Sequence, residues 1–481
     1  MELVTKKAMK CIQEADVIVY DNLIDISLLN YASLNTELIY AGKEAANHYL
    51  SQGSIIELLM DKAREGKYVV RLKGGDPYLF GRGSEEALAL KEAGISYEIV
   101  SGVTSSIAVL AYAGIPVTDR RFVSSCHIIT AHREDEAGID FENISKLEGT
   151  LVFMMGLAKL HHIVQGLTLH GKASGTPVAV LSDGSRYNRR KCVGTLADIE
   201  EKVKEARLLP PAIIVVGEVV SLSNELDNFL ERYSDKKLFR KKILLTGTRY
   251  ICHKIKAALA DEGCDIDEIS IIESVPIESD FYNNIEKYIE SHDYLVFSSA
   301  NGIRVFFEKL KELHNVDLRK LSNIKFAVIG KGSAQTLRNY GYIADFVPSS
   351  FSNKDLAVEL CKQLKGEKLL LLRAREASAE LVEELEVNKV EYTDVPLYET
   401  FRDYRRTFDI KRLIKNYDYV VVASSITAYT LCEMVEDKAL LEGRVVSIGP
   451  VTTGTCKRLG VEPLMSAREY SVDGIVRALL Q

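Results

Sequence analysis

A chain of 481 residues is too long for one ordinary core and implies two to four domains. With 47% apolar and 27% charged residues it has the profile of a soluble globular protein, and a net charge of −7 argues against general nucleic-acid binding, so an anionic ligand needs a local basic patch. No apolar run approaches the roughly 18 residues that span a bilayer, and MELVTKKAMK lacks the apolar core of a secretory signal, which makes the cytoplasm the expected compartment and a membrane partner unexpected.

The eight cysteines (Cys11, Cys126, Cys192, Cys252, Cys264, Cys361, Cys432, Cys456) form no CxxC pair and no Cys/His cluster at ligand spacing. Neither a disulfide framework nor a metal site is expected, and the thiols read as small buried hydrophobes. His161 and His162 are neighbours on a predicted helix, share no face, and read as ordinary polar residues.

Strand-like apolar runs alternate with amphipathic helical stretches almost throughout, the α/β signature. Residues 2–14 predict a helix, 16–20 a strand ending in Asp21, 37–42 a strand ending in Gly42-Lys43, and 54–64 a helix. The run at 68–70 leads into RLKGGDPYLFGRGSEE (71–86), where a helix starts near Ser84 with Glu85 and Glu86 favourably placed in its first turn. Gly74 and Gly75 lack a Cβ, so the backbone can take positive φ and approach a ligand closely. Asp76 at such a strand end suits a ligand's hydroxyl or amine, while a tight turn with an exposed aspartate accounts for the same triplet. After a strand at 97–100, SGVTSSIAVLAYAGIPV opens a helix with a small-residue turn (Ser101, Gly102, Thr104, Ser105) whose free N–H groups and hydroxyls can hold a polar ligand; a well-capped helix and nothing more is the alternative. A second sub-block begins near Ser124, with strands at 125–130, 150–155, 177–181 and 212–216, and RYNRRKCVG (186–194) reads as a solvated hairpin.

Taken together, VIVYD, AGK, RLKGGDPYLFGRG, SGVTSS, AYAGIPVTDR, FMMGL and SDG, in this order, resemble the tetrapyrrole methylase family in its uroporphyrinogen-III C-methyltransferase branch, over residues 1 to about 222. The resemblance implies S-adenosylmethionine as methyl donor, held by Gly74, Gly75, Asp76, Leu79, Thr104, Ser105, Met155 and Gly184. It implies Asp21 as proton acceptor and Lys43 as proton donor. The implied acceptor is a polycarboxylate porphyrinogen, for which Arg82 and Arg120 are candidate charge-assisted partners, although each arginine taken singly reads equally well as solvated surface. Two departures stand out. Thr118-Asp119-Arg120 occupies the place of the family's Thr-His-Arg, and the family's opening strand and Gly-Pro-Gly-Asp loop have no counterpart ahead of the helix at Glu2. On this reading methyl transfer by the chain as given is expected to be weak. Residues 1–123 are expected to be its least stable part, shielded by a homodimer contact through the same half.

Residues 224–242 are polar and helical in pattern and read as a helix-plus-linker. From 241 the chain repeats itself: KKILLTGTRYICHKIKAALADEG is echoed by EKLLLLRAREASAELVEELEVNK, HDYLVFSSANGIR by YDYVVVASSITAY, and FAVIGKGSAQTLRNYGY by VVSIGPVTTGTCKRLGV. A period this long predicts two similar α/β lobes with Ser298-Ser299 and Ser424-Ser425 loops and Gly330 and Gly449 turns at their strand ends. Such loops suit a polyanion held by backbone N–H groups, and plain helix caps are the alternative. SSANG, IGKGSA, PLYET and IGPVTT resemble the uroporphyrinogen-III synthase family over 241 to 481. The resemblance implies a hinge tyrosine, Tyr398, acting in catalysis, and cleft-lining hydroxyls at Ser298, Ser333 and Thr452; Ser299 and Ser424 are substrate-binding candidates from the paired Ser-Ser loops.

The expected architecture is therefore α/β: a two-sub-block methylase fold lacking its N-terminal strand (1–123 and 124–222), a linker (223–240), and a two-lobed synthase fold (241–275 plus 402–481, and 278–397). The expected function is bifunctional tetrapyrrole synthesis from small-molecule substrates, with S-adenosylmethionine for one half and no cofactor for the other. A chain in which only the synthase works and the first half is a binding or scaffold module is the alternative. A nicotinamide-dependent oxidoreductase is disfavoured, since no GxGxxG follows a strand.

Overall fold

The structure is a computed structural model describing residues 2–42, 50–131, 139–313, 317–350 and 352–481. Its strands form three sheets. The first is parallel, in the order β2-β1-β3, from β1 (Val17–Tyr20), β2 (Glu37–Tyr40) and β3 (Val69–Leu72). The second contains β4 (Cys126–Thr130), β5 (Thr150–Met154), β6 (Pro177–Ser182), β7 (Arg190–Thr195) and β8 (Ala212–Val216), in the order β4-β5-β8-β6-β7. The third runs through the whole C-terminal half as β12-β11-β13-β14-β10-β9-β15-β16-β17. Its strands are β9 (Lys242–Thr248), β10 (Asp265–Pro276), β11 (Tyr294–Phe297), β12 (Lys325–Val328), β13 (Leu369–Ala374), β14 (Tyr392–Arg402), β15 (Tyr419–Val422), β16 (Val445–Ser447) and β17 (Met465–Ser466).

The repeat in the C-terminal half folds as two lobes of one sheet. β10 pairs parallel with β9 at its start, and β14 pairs parallel with β13 at its start. Their far ends then pair antiparallel with each other, from Ile272↔Arg402 to Pro276↔Tyr398. This ribbon runs past the carboxyl edges of both parallel sheets, so those edges face each other across it.

β1 is central and parallel, and all four of its residues are buried. Val17 and Val19 pack against Ile55 and Leu59 of the helix Gln52–Arg64. Ile18 and Tyr20 face the other way, into a core shared with Ile269, Ile271, Ile410, Val420 and Leu431 of the C-terminal half. One face of the first sheet is thus covered by the same chain's own second half. The helix Ser105–Tyr112 departs from the expected partition at 123: Val109 and Leu110 pack with Val152, Leu181 and Val215 of the second sheet.

Three local expectations are corrected. Residues 97–100 form no strand, because the first sheet ends at β3 and gives them no ladder to join. The expected hairpin at 186–194 yields a real strand, β7, antiparallel to β6. The stretch read as helix-plus-linker does hold helical turns, Ser223–Leu226 and Phe229–Tyr233, and it is pinned: Phe229, Tyr233 and Leu238 are buried, Tyr187 meets Tyr233 edge-on at 5.0 Å, and Asp227 binds Lys191 at 2.6 Å. The first helix starts at Lys6, where the Thr5 hydroxyl caps it by accepting from the Ala8 N–H.

The halves are joined along the free edge of β10. The 3-10 turn Ile26–Tyr31 lies on it, and the Ser27 hydroxyl accepts from the Glu268 N–H at 2.9 Å. The Asn30 amide donates to the Glu268 carbonyl at 2.9 Å and accepts from the Ser270 N–H at 3.1 Å. Upstream, the Asp265 carboxylate accepts from the Tyr187 and Asn188 N–H groups. Arg406 and Asp409, both fully buried, complete the junction. Arg406 donates to the Asn30 side-chain oxygen (2.7 Å), the Ile26 carbonyl (3.2 Å) and Asp409 (3.2 Å). Arg406→Ala should cost about 3 kcal/mol, the lower end for stranding one partner of a buried pair, because Arg412 still reaches Asp409 at 3.3 Å. Urea denaturation of the full chain checks this, and loss of the arginine without a shift in midpoint would remove Arg406 from the account of the junction.

Candidate functional site

The first site grows from the carboxyl ends of β1 and β3. Asp21 follows β1 directly; its carboxylate accepts from the Leu23 N–H at 2.9 Å and from Arg71 at 3.1 Å. Arg71 and Lys73 flank Leu72 and converge on Glu86, which is 6% exposed, at 3.6 and 2.7 Å. Burial and the neighbouring Arg71 lower the Lys73 ammonium below its ordinary value, against the pull of Glu86. The loops then interlock so closely that two glycines are obligatory. A Cβ on Gly74 would lie 2.8 Å from the Leu23 carbonyl, and one on Gly102 would lie 2.3 Å from the Gly75 carbonyl. Gly75 itself has φ +77°.

Asp76 closes this arrangement. Its carboxylate accepts from the Tyr78 N–H (2.9 Å), the Gly102 N–H (3.1 Å) and the Ser101 hydroxyl. The Ser101 hydrogen bond holds its carboxyl below the usual range. Thr104 caps the helix Ser105–Tyr112 and lies beside Gly75, and Leu79 continues the loop through its N–H to the Asp76 carbonyl. Gly184 packs against that helix, its would-be Cβ 2.1 Å from Val109. Met155, left-handed (φ 55°) and about half exposed, directly follows β5. β5 and β6 are both antiparallel to β8, so Met155 and the Asp183-Gly184 turn stand at the same edge of their sheet.

The second site lies where the two lobes face. Tyr398, 5% exposed, sits in the ribbon and hydrogen-bonds the Ser299 hydroxyl at 2.9 Å. Ser299 also caps the helix Ala300–Glu312 by accepting from the Gly302 N–H. Burial raises the Tyr398 phenol above its ordinary value, with the Ser299 bond and Arg304 pulling the other way. Ser424 caps the equivalent helix, Ser425–Val435, in the other lobe. The Arg304 guanidinium lies 3.9 Å from the Tyr250 ring centre, so the lobes touch across the cleft.

The chain matches the family model for tetrapyrrole (corrin/porphyrin) methylases over residues 1–200 and that for uroporphyrinogen-III synthase over 253–477. It is 35% identical to the porphyrin biosynthesis protein HemD of Ruminiclostridium josui over 100% of this chain and 95% of that protein. The chain belongs to this fused methylase–synthase family. Its first half is 48% identical to the uroporphyrinogen-III C-methyltransferase of Methanocaldococcus jannaschii, covering 46% of this chain and 92% of that one. A crystal structure of a uroporphyrin-III C-methyl transferase from Thermus thermophilus, complexed with S-adenyl homocysteine, is 34% identical with a TM-score of 0.40, covering 46% of this chain and 94% of that one.

In the methylase half the structure brings Asp21, Gly74, Gly75, Asp76, Leu79, Thr104 and Ser105 together, with Gly184 behind the same helix. Lys43 lies outside the described residues. Arg82 is engaged by Glu85 through two bonds of 2.8 Å. Arg120 lines an open cavity of about 480 Å³ with Thr118, Arg121 and Phe122, and Asp119 of the departing triplet pairs with Arg121. In the synthase half Ser298 directly follows β11, while Ser333 and Thr452 are buried in the first turns of their helices. Sequence reading missed Arg71 and Glu86, which hold Asp21 and Lys73; the alternation of Arg71 and Lys73 about Leu72 was the available signal.

The Asp76 tie gives a pH test. With its folded pKa depressed, the tie is fully present above the ordinary carboxylate value of about 3.9 and is lost as pH falls through the lower folded value. Protection of the Gly102 amide against hydrogen exchange should persist down to about pH 4. Loss of protection already near pH 5 would show that another group holds that N–H.

Proposed function

We propose that the synthase half closes hydroxymethylbilane to uroporphyrinogen III with ring D inverted, and that the methylase half then methylates this product at two ring carbons to precorrin-2, for sirohaem or cobalamin. The observation that carries the reading is Tyr398, held by Ser299 in the ribbon between two facing carboxyl edges. A flexible linear tetrapyrrole loses its hydroxyl readily, so the main task is to fold it for one closure, a matter of positioning. A buried tyrosine whose phenol is kept protonated is a hydrogen-bond donor for the departing hydroxyl, and the Ser299 bond fixes its direction.

In the other half, S-adenosylmethionine supplies an electrophilic methyl group when bound. The residues fit such a donor: Gly74 and Gly75 leave exposed backbone, Thr104 offers a hydroxyl, and exposed Met155 and part-exposed Leu79 offer apolar surface for a base. Asp21, oriented by Arg71 and the Leu23 N–H, takes the proton released from the ring carbon.

Incubating the purified chain with hydroxymethylbilane should give uroporphyrinogen III, and adding S-adenosylmethionine should convert it to a dimethylated product. Formation of only the spontaneous type I isomer would overturn the synthase assignment, and type III product that is never methylated would leave the first half a binding module. Tyr398→Phe should slow ring closure at least tenfold, and more than Ser298→Ala or Ser424→Ala does.

A further inference from the structure

Asp21 is the proton acceptor in the reading above, and Lys43 is its proposed companion; in sequence they follow the last residues of β1 and β2, Tyr20 and Tyr40. Both tyrosines are gripped by one helix of the synthase half, Thr407–Leu413. Tyr20, 2% exposed, donates its hydroxyl to the fully buried Asp409, which lies 3.1 Å away through either carboxylate oxygen. Asp409 is itself held by Arg406 and Arg412. Tyr40 packs its ring on Phe408 at 5.0 Å and under the Arg412 guanidinium at 4.6 Å. The two tyrosines meet edge-on at 5.6 Å.

β1 has only four residues, and the loop after it carries both Asp21 and Leu23, the residue against which Gly74 is packed. A short strand has few ladder bonds to define its end, so the anchor on its last side chain fixes where the next residue points. The run Arg406–Asp409–Tyr20 on one side and Asp21–Arg71–Glu86 on the other is continuous through the β1 backbone.

We infer that Asp409, a residue of the synthase half, is a positioning residue for methyl transfer, acting through Tyr20 on the Asp21 loop, with Phe408 and Arg412 doing the same for the end of β2 through Tyr40. The methylase is then not a free module attached to a synthase, because its Asp21 loop is set by a synthase helix. The inference rests on the reading of Asp21 as proton acceptor.

The test uses the full chain carrying Tyr20→Phe, which removes one hydroxyl and keeps the ring, and separately Tyr40→Leu. Both changes lie on the methylase side. Each should lower kcat for methyl transfer at least tenfold while KM for donor and acceptor, and turnover of hydroxymethylbilane, stay within twofold. Hydrogen exchange should rise at least tenfold in residues 21–25 of Tyr20→Phe and stay unchanged in 74–84. Unchanged exchange at 21–25 overturns the inference whatever the activity of the chain, and so does a parallel fall of both activities, which marks general unfolding. Asp21→Asn separates the two claims: if it still transfers methyl groups, Asp21 is not the proton acceptor, while faster exchange in Tyr20→Phe would still show that Asp409 sets the loop.

Discussion

The free edge of β10 is the constraint on which the architecture turns. β10 has β9 on one side, but its other side gains a strand only from Ile272 onward, where β14 begins to pair. Between Asp265 and Ser270 the backbone is left to find partners that are not strands. Each buried N–H or C=O without a partner costs about 1–3 kcal/mol, and an uncovered edge invites pairing with other chains. Here the methylase half covers it with side chains. The Asn30 amide acts as a surrogate peptide, donating to Glu268 and accepting from Ser270, while Ser27 takes the remaining N–H. Arg406 locks the arrangement from behind by binding the same Asn30 oxygen.

That choice of partner makes the molecule asymmetric. The joining contacts, from Asp265 with Tyr187 to Arg405 with the Ser33 and Thr36 carbonyls, lie on the lobe built from β9, β10 and β15 to β17. The shared core has the same bias, uniting Ile18, Leu28 and Leu29 with Ile269, Ile271, Ile410 and Leu431. The other lobe keeps its own two cores and meets the first through the ribbon and the Arg304–Tyr250 contact. The first sheet, only three strands of four residues each, is marginal alone and owes its second face to the synthase half. A buried ion pair such as Arg406–Asp409 adds little net stability over an apolar substitute, but removing one partner is costly, and Arg406 also binds Asn30 and the Ile26 carbonyl across the junction.

Much of this was legible in the sequence, for reasons that also mark the limits. β1, β5, β8 and β13 are continuous apolar runs because they are buried in parallel or central positions, and such runs stand out. β7 did not stand out because it is an edge strand that opens with Arg190 and Lys191 and buries only Cys192. Residues 97–100 have strand-like composition, but composition does not report whether a partner strand exists. The glycine loops and the serine caps were found because their chemistry is local: a glycine against a carbonyl, a hydroxyl on its own helix. Asn30, Arg406 and Asp409 lie more than 370 positions apart in part and obey no period, so nothing near them in sequence shows that they meet. What pins the linker is hidden for the same reason, since Arg189 stacks 3.8 Å from Phe229 only after the chain has turned back.

The junction also bears on how a protein of net charge −7 can hold the polyanion proposed for its cleft. The arginines at the facing edges are already committed. Arg249 donates to the Asn30 carbonyl and faces Glu273, whose carboxyl burial pushes up while Arg249 and Arg304 pull it down; Arg304 lies on Tyr250 and binds Asn301. The edges also carry oriented backbone: the first turns of Arg249–Ala258, Ala300–Glu312, Lys331–Arg338, Ser425–Val435 and Pro450–Arg458 all begin at strand carboxyl ends, and a serine or threonine cap takes only one N–H of each turn that has such a cap. Helix N-termini attract carboxylates without requiring long side chains to be immobilised, and their directions are fixed by the sheets that carry them. Such a cleft discriminates by where carboxylates fall rather than by how many there are. That is the property needed to choose one closure of a flexible chain over another with the same charge.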